Sequence, residues 1–300
     1  MNHSNQFSDL LQFVFMGIQR GSIYALVAMG FNIIYNATGV INFAQGEFVV
    51  LGGLIMVSMT TMLHVPIVVA FFLSTLVVMI AGVIMERFTI NPVKEPGILR
   101  LIIITIAVSI LLKGIAMCIW GKDSYHMDHF SGDTPFEIFG ATILPQTLWI
   151  IGILVIIVFF FILFFNHTMI GKSMRACAIN RDAARLVGIN DRLAVMYSFA
   201  ISAGIGAIAG IIITPIIQMD YGRGALLGLK GFGAAVVGGL GNSIGAVVAG
   251  IILGVIEALG AGYISSHYMD AIALLILLIV LFLRPSGIMG SSEASRLKDF

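Results

Sequence analysis

Four ionisable side chains stand inside stretches of hydrocarbon: Arg20, Glu47, Lys113 and Glu257. A charge at bilayer depth costs about 2.5–3.5 kcal/mol on insertion scales, so each must be paired or wet. Two roles are open to them. They can tie helices together as ion pairs, Glu47 with Arg20 in particular, or they can line an aqueous path and touch a solute. Glu257 can also sit near a helix end. None has beside it the nucleophile and base of covalent catalysis, so no intramembrane enzyme is expected. His126 and His129 stand three apart near Asp123 and Asp128. They lack a third ligand on a rigid element and read as solvated loop residues, so no metal is expected. No Gly-x-x-x-x-Gly-Lys-Ser/Thr occurs, and the chain does not bind ATP by that route.

The elements that must position these charges are apolar. The chain has 300 residues, 59% hydrophobic and 10% charged, with a mean hydropathy of +1.05. A soluble domain has about a quarter of its residues charged. The apolar runs are continuous rather than alternating, which excludes a β-barrel. The fold class is therefore an all-α integral membrane protein, a polytopic helical bundle. A net charge of +1 suggests no nucleic acid partner. Cys118 and Cys177 are expected on opposite membrane faces or in the bilayer, without a bridge. Met1 to Asp9 lacks a basic region and a cleavage site, so the first apolar segment is expected to be retained.

Apolar spans run over 10–35, 48–63, 65–85, 101–120, 147–165, 193–217, 231–263 and 268–283. Two polar, Gly-rich stretches, 36–47 and 219–242, interrupt the hydrocarbon, one in each half of the chain. Irregular backbone survives at membrane depth only where protein or a wet cavity satisfies it, and paired interruptions mark translocation routes built from broken helices. The alternative is a pair of loops outside the bilayer. Segments 86–100, 166–192 and 284–300 are basic, whereas the loop 121–145 holds one Lys and four acids. The positive-inside bias puts the three basic segments in the cytoplasm and 121–145 outside. An even number of crossings must then lie between 192 and 284, so 231–263 is predicted to split near Gly241-Asn242-Ser243. About eight spans are expected, in a single domain over 1–300, with the N-terminal side open because 36–47 is either a tight turn or a broken crossing. Glycines four apart, at 17 and 21, 206 and 210, 241 and 245, and 250 and 254, predict close helix packing.

Five of the sixteen Lys and Arg residues fall in 166–192: Lys172, Arg175, Arg181, Arg185 and Arg192. Within it Ala183, Leu186, Val187 and Asn190 follow helical spacing and predict an apolar stripe, with Arg181, Arg185 and Arg192 opposite. Such a helix either docks in a soluble partner's groove or links two spans as a solvated element.

Four stretches resemble the permease subunits of bacterial ABC importers for branched-chain (hydrophobic) amino acids. They are Ile41-Asn42-Phe43-Ala44-Gln45-Gly46-Glu47, the segment from Met174 to Asn190, the Gly-rich tract from Leu229 to Leu259, and Arg284-Pro285-Ser286-Gly287-Ile288-Met289-Gly290. The general importer signature, Glu-Ala-Ala with Gly four residues after the second Ala, stands here as Asp182-Ala183-Ala184 and Gly188. Asp replaces Glu, and the usual downstream Leu-Pro is missing. The resemblance implies an inner-membrane, multi-pass permease without a cofactor. Its implied partners are a second homologous permease, two cytoplasmic ATPase subunits and an external substrate-binding protein. It implies that Asp182, Ala183, Ala184, Arg185, Leu186, Val187 and Gly188 couple to the ATPases. Asn42, Gln45, Glu47 and Glu257 are expected on the translocation pathway, with alternating access as the mechanism. Permeases for urea or short amides are the alternative within the family. An ion-coupled secondary transporter using Glu47 or Glu257 is the alternative outside it.

Overall fold

Small residues decide how the helices of this chain cross. The computed structural model describes residues 3–93, 97–138, 140–284 and 287–289. Lys94, Glu95, Pro96, Pro285, Ser286, Gly290 and the tail with Arg296 and Lys298 lie outside the described residues. In order, the helices are α1 (His3–Thr38), α2 (Gln45–Val57), α3 (Ile67–Met85) and α4 (Ile98–Trp120), then a short hairpin of β1 (Phe136–Ile138) and β2 (Ala141–Ile143). They continue with α5 (Pro145–His167), α6 (Met169–Ile179), α7 (Arg181–Leu186), α8 (Asp191–Ile213), α9 (Arg223–Gly238), α10 (Ser243–Tyr263) and α11 (Met269–Leu283). Wide π-helical turns extend α2 over Ser58–Met62 and α3 over Glu86–Ile90. Eight of the described helices are long and apolar enough to span a membrane. The expected eight-span helical bundle is what the chain forms.

Two layers follow from burial. The span windows of α2 and α8 are 67% and 72% buried, whereas those of α3, α4, α5 and α11 are 11–22% buried. The second group therefore forms the outer wall, and α1, α2, α8, α9 and α10 form the interior. The glycine pairs explain the interior contacts. A Cβ on Gly21 would lie 2.7 Å from the Gly250 carbonyl oxygen, and one on Gly254 would lie 2.4 Å from the Cα of Gly21. The pair 17/21 thus packs on the pair 250/254, backbone to backbone, joining α1 to α10. Gly210 meets Val49 and Gly53 in the same way and joins α8 to α2. Gly241 and Gly245 form no such helix pair, because Gly241 is a loop residue with φ +94°.

The polar interruptions are shorter than the sequence suggests. Gln45, Gly46 and Glu47 are already helical, so the first break spans 39–44. Most of 219–242 is the sixteen-residue helix α9. The true breaks flank it at 214–222 and 239–242, and the second coincides with the predicted split. Each break has its own source of hydrogen bonds, as hydrocarbon requires. Met219 exchanges two backbone bonds of 2.9 Å with Tyr125 of the long loop. Asn32 on α1 accepts from Gly241 N at 3.1 Å and donates to Asn242 O at 3.0 Å, and Asn36, one turn on, donates to Gly241 O at 3.0 Å.

α1 is one unbroken helix through Arg20, and its two ends fix the membrane faces. Ser8 and Gln12 bond to Gly140 and Thr142 of the acidic loop, while the guanidinium of Arg181 donates to Ala37 O near the other end. The acidic loop and the basic α6–α7 segment therefore occupy opposite faces.

The α1–α10 contact gives a direct test. Gly21→Leu is expected to lower stability by about 1–3 kcal/mol or more, the cost of overpacking. Gly114→Leu on α4, where a side chain meets nothing within 4 Å, should leave the thermal midpoint in detergent unchanged. Equal midpoints for both variants would contradict the packing described.

Candidate translocation and coupling sites

The first turn of α2 is held by an amide. Gln45 is fully buried. Its Nε2 donates to Ser202 O at 3.1 Å, and Ser202 Oγ lies 2.7 Å from Gln45 Oε1 and 2.8 Å from Gly30 O. One hydroxyl proton serves both oxygens. The missing side chain at Gly30 leaves room for the amide, since a Cβ there would lie 2.1 Å from Gln45 Nε2. Ser202 sits roughly 16 Å along α8 from Asp191, near the middle of a hydrocarbon core about 30 Å thick. Gln45 thus binds α2 to α1 and α8 at mid-depth.

The start of α9 meets the start of α2 there. A Cβ on Gly46 would lie 1.9 Å from Gly224 O, and one on Gly224 would touch the Glu47 carboxylate. Glu47 is buried and accepts from Ser109 Oγ at 3.1 Å. The charge of Lys113, one turn further along α4, also acts on it. Lys113 Nζ itself lies 5.7 Å from the Tyr221 ring centroid. Asn42 is buried, and its Oδ1 accepts from Ala44 N at 3.1 Å. Asn42, in the break, and Gln45 and Glu47, in the first turn of α2, are thus buried close together in the chain, with Asn42 Nδ2 lacking a hydrogen-bond partner among the described residues.

Glu257 belongs to a second cluster. It is fully buried in the outer-loop half of α10. Lys230 Nζ donates to Glu257 Oε1 at 2.9 Å and to Tyr24 Oη at 3.1 Å, and lies 2.6 Å from Asp270 Oδ1. Tyr24 Oη donates to Glu257 Oε1 at 3.1 Å. Arg20 Nη1 lies 4.0 Å from the same carboxylate oxygen. The expected Arg20–Glu47 pair is therefore corrected: Arg20 faces Glu257, and Glu47 faces α4. Sequence reasoning missed Lys230, Tyr24 and Asp270. The available signal was spacing, since Arg20 and Tyr24 stand one turn apart on α1 and Lys230 interrupts a run of small apolar residues.

At the basic face, three side-chain caps set the chain's course. Thr168 accepts from Gly171 N, Asn180 from Ala183 N, and Asn190 from Arg192 N and Leu193 N. The predicted stripe is corrected accordingly. α7 has six residues, Gly188 ends it with φ +87°, Asn190 caps the next helix, and Arg192 lies within α8. The arginines turn back onto the protein. Arg175 donates to Phe165 O, Arg181 to Ala37 O, and Arg185 pairs with Asp191 at 2.6 Å and Asp182 at 3.6 Å. The Asp191 hydrogen bond holds the Arg185 guanidinium above its ordinary pKa. Burial, aided by Asp191, pushes the Cys177 thiol up. The face turned outward here is mixed: Ile179 at the end of α6 and Leu186 and Val187 at the end of α7 are 87%, 89% and 76% exposed, beside exposed Ala183, Asp182 and Arg185. Ala184 is buried beneath them. Among the described residues, no three His, Cys, Asp or Glu side chains gather as a metal site.

Residues 13–281 match the family model described as the permease component of branched-chain amino acid transport systems. The permease protein LivH of Salmonella typhimurium is 32% identical over 314 residues, covering 98% of this chain and 99% of its own. LivH of Escherichia coli K12 is 32% identical with the same coverage. BraD of Pseudomonas aeruginosa is 32% identical, covering 95% of this chain and 97% of its own. All three are named as high-affinity branched-chain amino acid transport permeases.

The buried ion cluster makes an asymmetric prediction. Lys230→Met strands Glu257 and should cost about 3–5 kcal/mol, whereas Lys230→Met with Glu257→Gln should recover most of it. Thermal unfolding in detergent reads both. A single variant as stable as the parent would remove the cluster's structural role.

Proposed function

The chain belongs to the family of branched-chain amino acid transport permeases, and on that basis we propose that it is the membrane-spanning subunit of an ATP-driven importer of branched-chain or other hydrophobic amino acids. It is a multi-pass permease of the bacterial inner membrane and not an enzyme. Energy comes from two separate ATPase subunits on the cytoplasmic side, where 166–192 lies. A second, homologous permease completes the pore, and an external binding protein delivers the amino acid near the acidic loop 121–145. The whole of 1–300 acts as one permease domain.

The observation that carries the coupling assignment is the outward face of α7. Leu186 and Val187 stand almost fully exposed at the basic face, while Arg181 and Arg185 bind the segment to the bundle. An apolar pair standing out from a short helix is the kind of anchor that fits a partner's groove. Asp182, Ala183 and Gly188 shape the same short helix, with Asp182 exposed beside Arg185. Motion of the ATPases enters here and reaches α1 through the Arg181–Ala37 bond. Asn42, Gln45 and Glu47 form the closed gate of the route in this conformation, and the Gln45–Ser202 bonds must part for it to open. Selection rests mainly with the binding protein, because a permease that held its solute tightly in one state would resist the change to the other.

The test is uptake by the reconstituted four-part complex in vesicles. Leucine should accumulate only with ATP on the α7 side and binding protein on the other. Val187→Asp should lower uptake about tenfold, the equivalent of 1.4 kcal/mol of lost docking. Uptake that persists without ATP and collapses with the proton gradient would replace this reading with ion-coupled transport.

A further inference from the structure

A cavity of about 560 Å³ opens beside the buried ion cluster, bordered by Arg20, Tyr24, Asp220, Arg223, Lys230 and Asp270. That is the size of a small-molecule site. Its place is fixed by two neighbours: Asp220 follows Met219, which pairs with the acidic loop, and Asp270 lies in the first turn of α11. The cavity therefore lies toward the acidic face. It is bipolar. Arg20, Arg223 and Lys230 supply three positive charges, and Asp220, Asp270 and the adjoining Glu257 supply three negative ones, so the set is neutral.

Two of these groups have capacity to spare. Arg20 has five N–H donors and is 35% exposed. Among the described residues its Nη1 meets only Met269 Sδ at 2.6 Å and Glu257 at 4.0 Å. Asp270 is half exposed: its buried Oδ1 is paired with Lys230 Nζ at 2.6 Å, and the exposed remainder of the carboxylate faces the cavity. The start of α9 borders the same space and already holds a carboxylate, Asp220, whose Oδ1 accepts from Gly222 N at 2.8 Å and whose Oδ2 accepts from Arg223 Nε at 3.0 Å. A helix start of this kind favours an anionic group. Ile23, Ile217 and Leu226 give the cavity an apolar wall.

We propose that this cavity binds the transported solute as a zwitterion, with the carboxylate at Arg20 and the ammonium at Asp270. The solute's apolar side chain lies against Ile23, Ile217 and Leu226. The inference rests on the importer reading and narrows it. Urea and short amides carry no separated charges and gain nothing from a cavity built of them. Binding is weak, because the solute competes with ion pairs already formed.

The test places one thiol in the cavity. In the assembled complex, with Cys118→Ser and Cys177→Ala, Leu226→Cys is reacted with a membrane-impermeant thiosulfonate from the acidic-loop side. Leucine at millimolar concentration should slow the reaction at least about fivefold, a differential of about 1 kcal/mol. Urea, isocaproate (which lacks the ammonium) and isopentylamine (which lacks the carboxylate) should not. Asp270→Asn and, separately, Arg20→Gln should each abolish protection while the thiol still reacts. Transported leucine that gives no protection, protection shared by the single-charge analogues, or protection surviving in both variants would each overturn the proposal. If the complex carries a different zwitterionic amino acid, and that solute protects, the cavity assignment stands and the branched-chain reading falls. If the carried solute is uncharged, both fall.

Discussion

Inside a bilayer no water replaces a broken hydrogen bond, and this chain interrupts its run of apolar helices at 39–44, 214–222 and 239–242. Every other feature depends on how those breaks are repaired. α1 does most of the repair. Asn32 and Asn36 bond the loop 239–242, Gly30 admits the Gln45 amide, and Ala37 receives Arg181. Its glycines 17 and 21 bring α10 into backbone contact, and its Arg20 and Tyr24 enter the buried ion cluster. A helix with this many obligations cannot shift alone. Displacement at its basic end is felt at the α9–α10 loop and at Gln45, because those groups have no solvent to turn to.

That rigidity bears on how a permease of this family changes state. The basic segment is stapled to α1 by one arginine and braced to α8 by another, so it moves with the interior helices rather than flexing against them. The outer wall is different in kind. α3, α4, α5 and α11 contribute long apolar faces and few polar ties. The interior layer carries the half-helices, the amide knot and the ion cluster. Under the proposed function, opening the route rearranges discrete hydrogen bonds there, Gln45 with Ser202 foremost, rather than deforming a continuous core.

Much of this was legible in the sequence. Continuous apolar runs gave the class, the basic segments gave faces that match the opposition of 121–145 and 166–192, and the requirement of an even crossing number placed the split near Gly241. The four-residue glycine spacing announced close packing, yet it could not say that 17/21 would meet 250/254, since partner choice is a tertiary property. The breaks looked longer than they are because glycine and glutamine read as polar. In fact Gln45 is neutralised by Ser202 and the glycines of α9 are a packing surface. Lys230 was hidden for the same reason, being counted with a polar tract when it is the centre of a buried cluster. The α7 stripe failed at Asn190 because capping outweighed periodicity: an Asn ahead of a long apolar run satisfies the next helix's first N–H groups.

The proposed coupling has α7, with its exposed Leu186 and Val187, facing the cytoplasm and meeting the ATPase subunits there. Val187→Cys in a chain lacking other cysteines, treated with an impermeant maleimide, tests it most directly. The account predicts no labelling in intact cells and full labelling once the inner membrane is opened. Rapid labelling of intact cells from outside would contradict it.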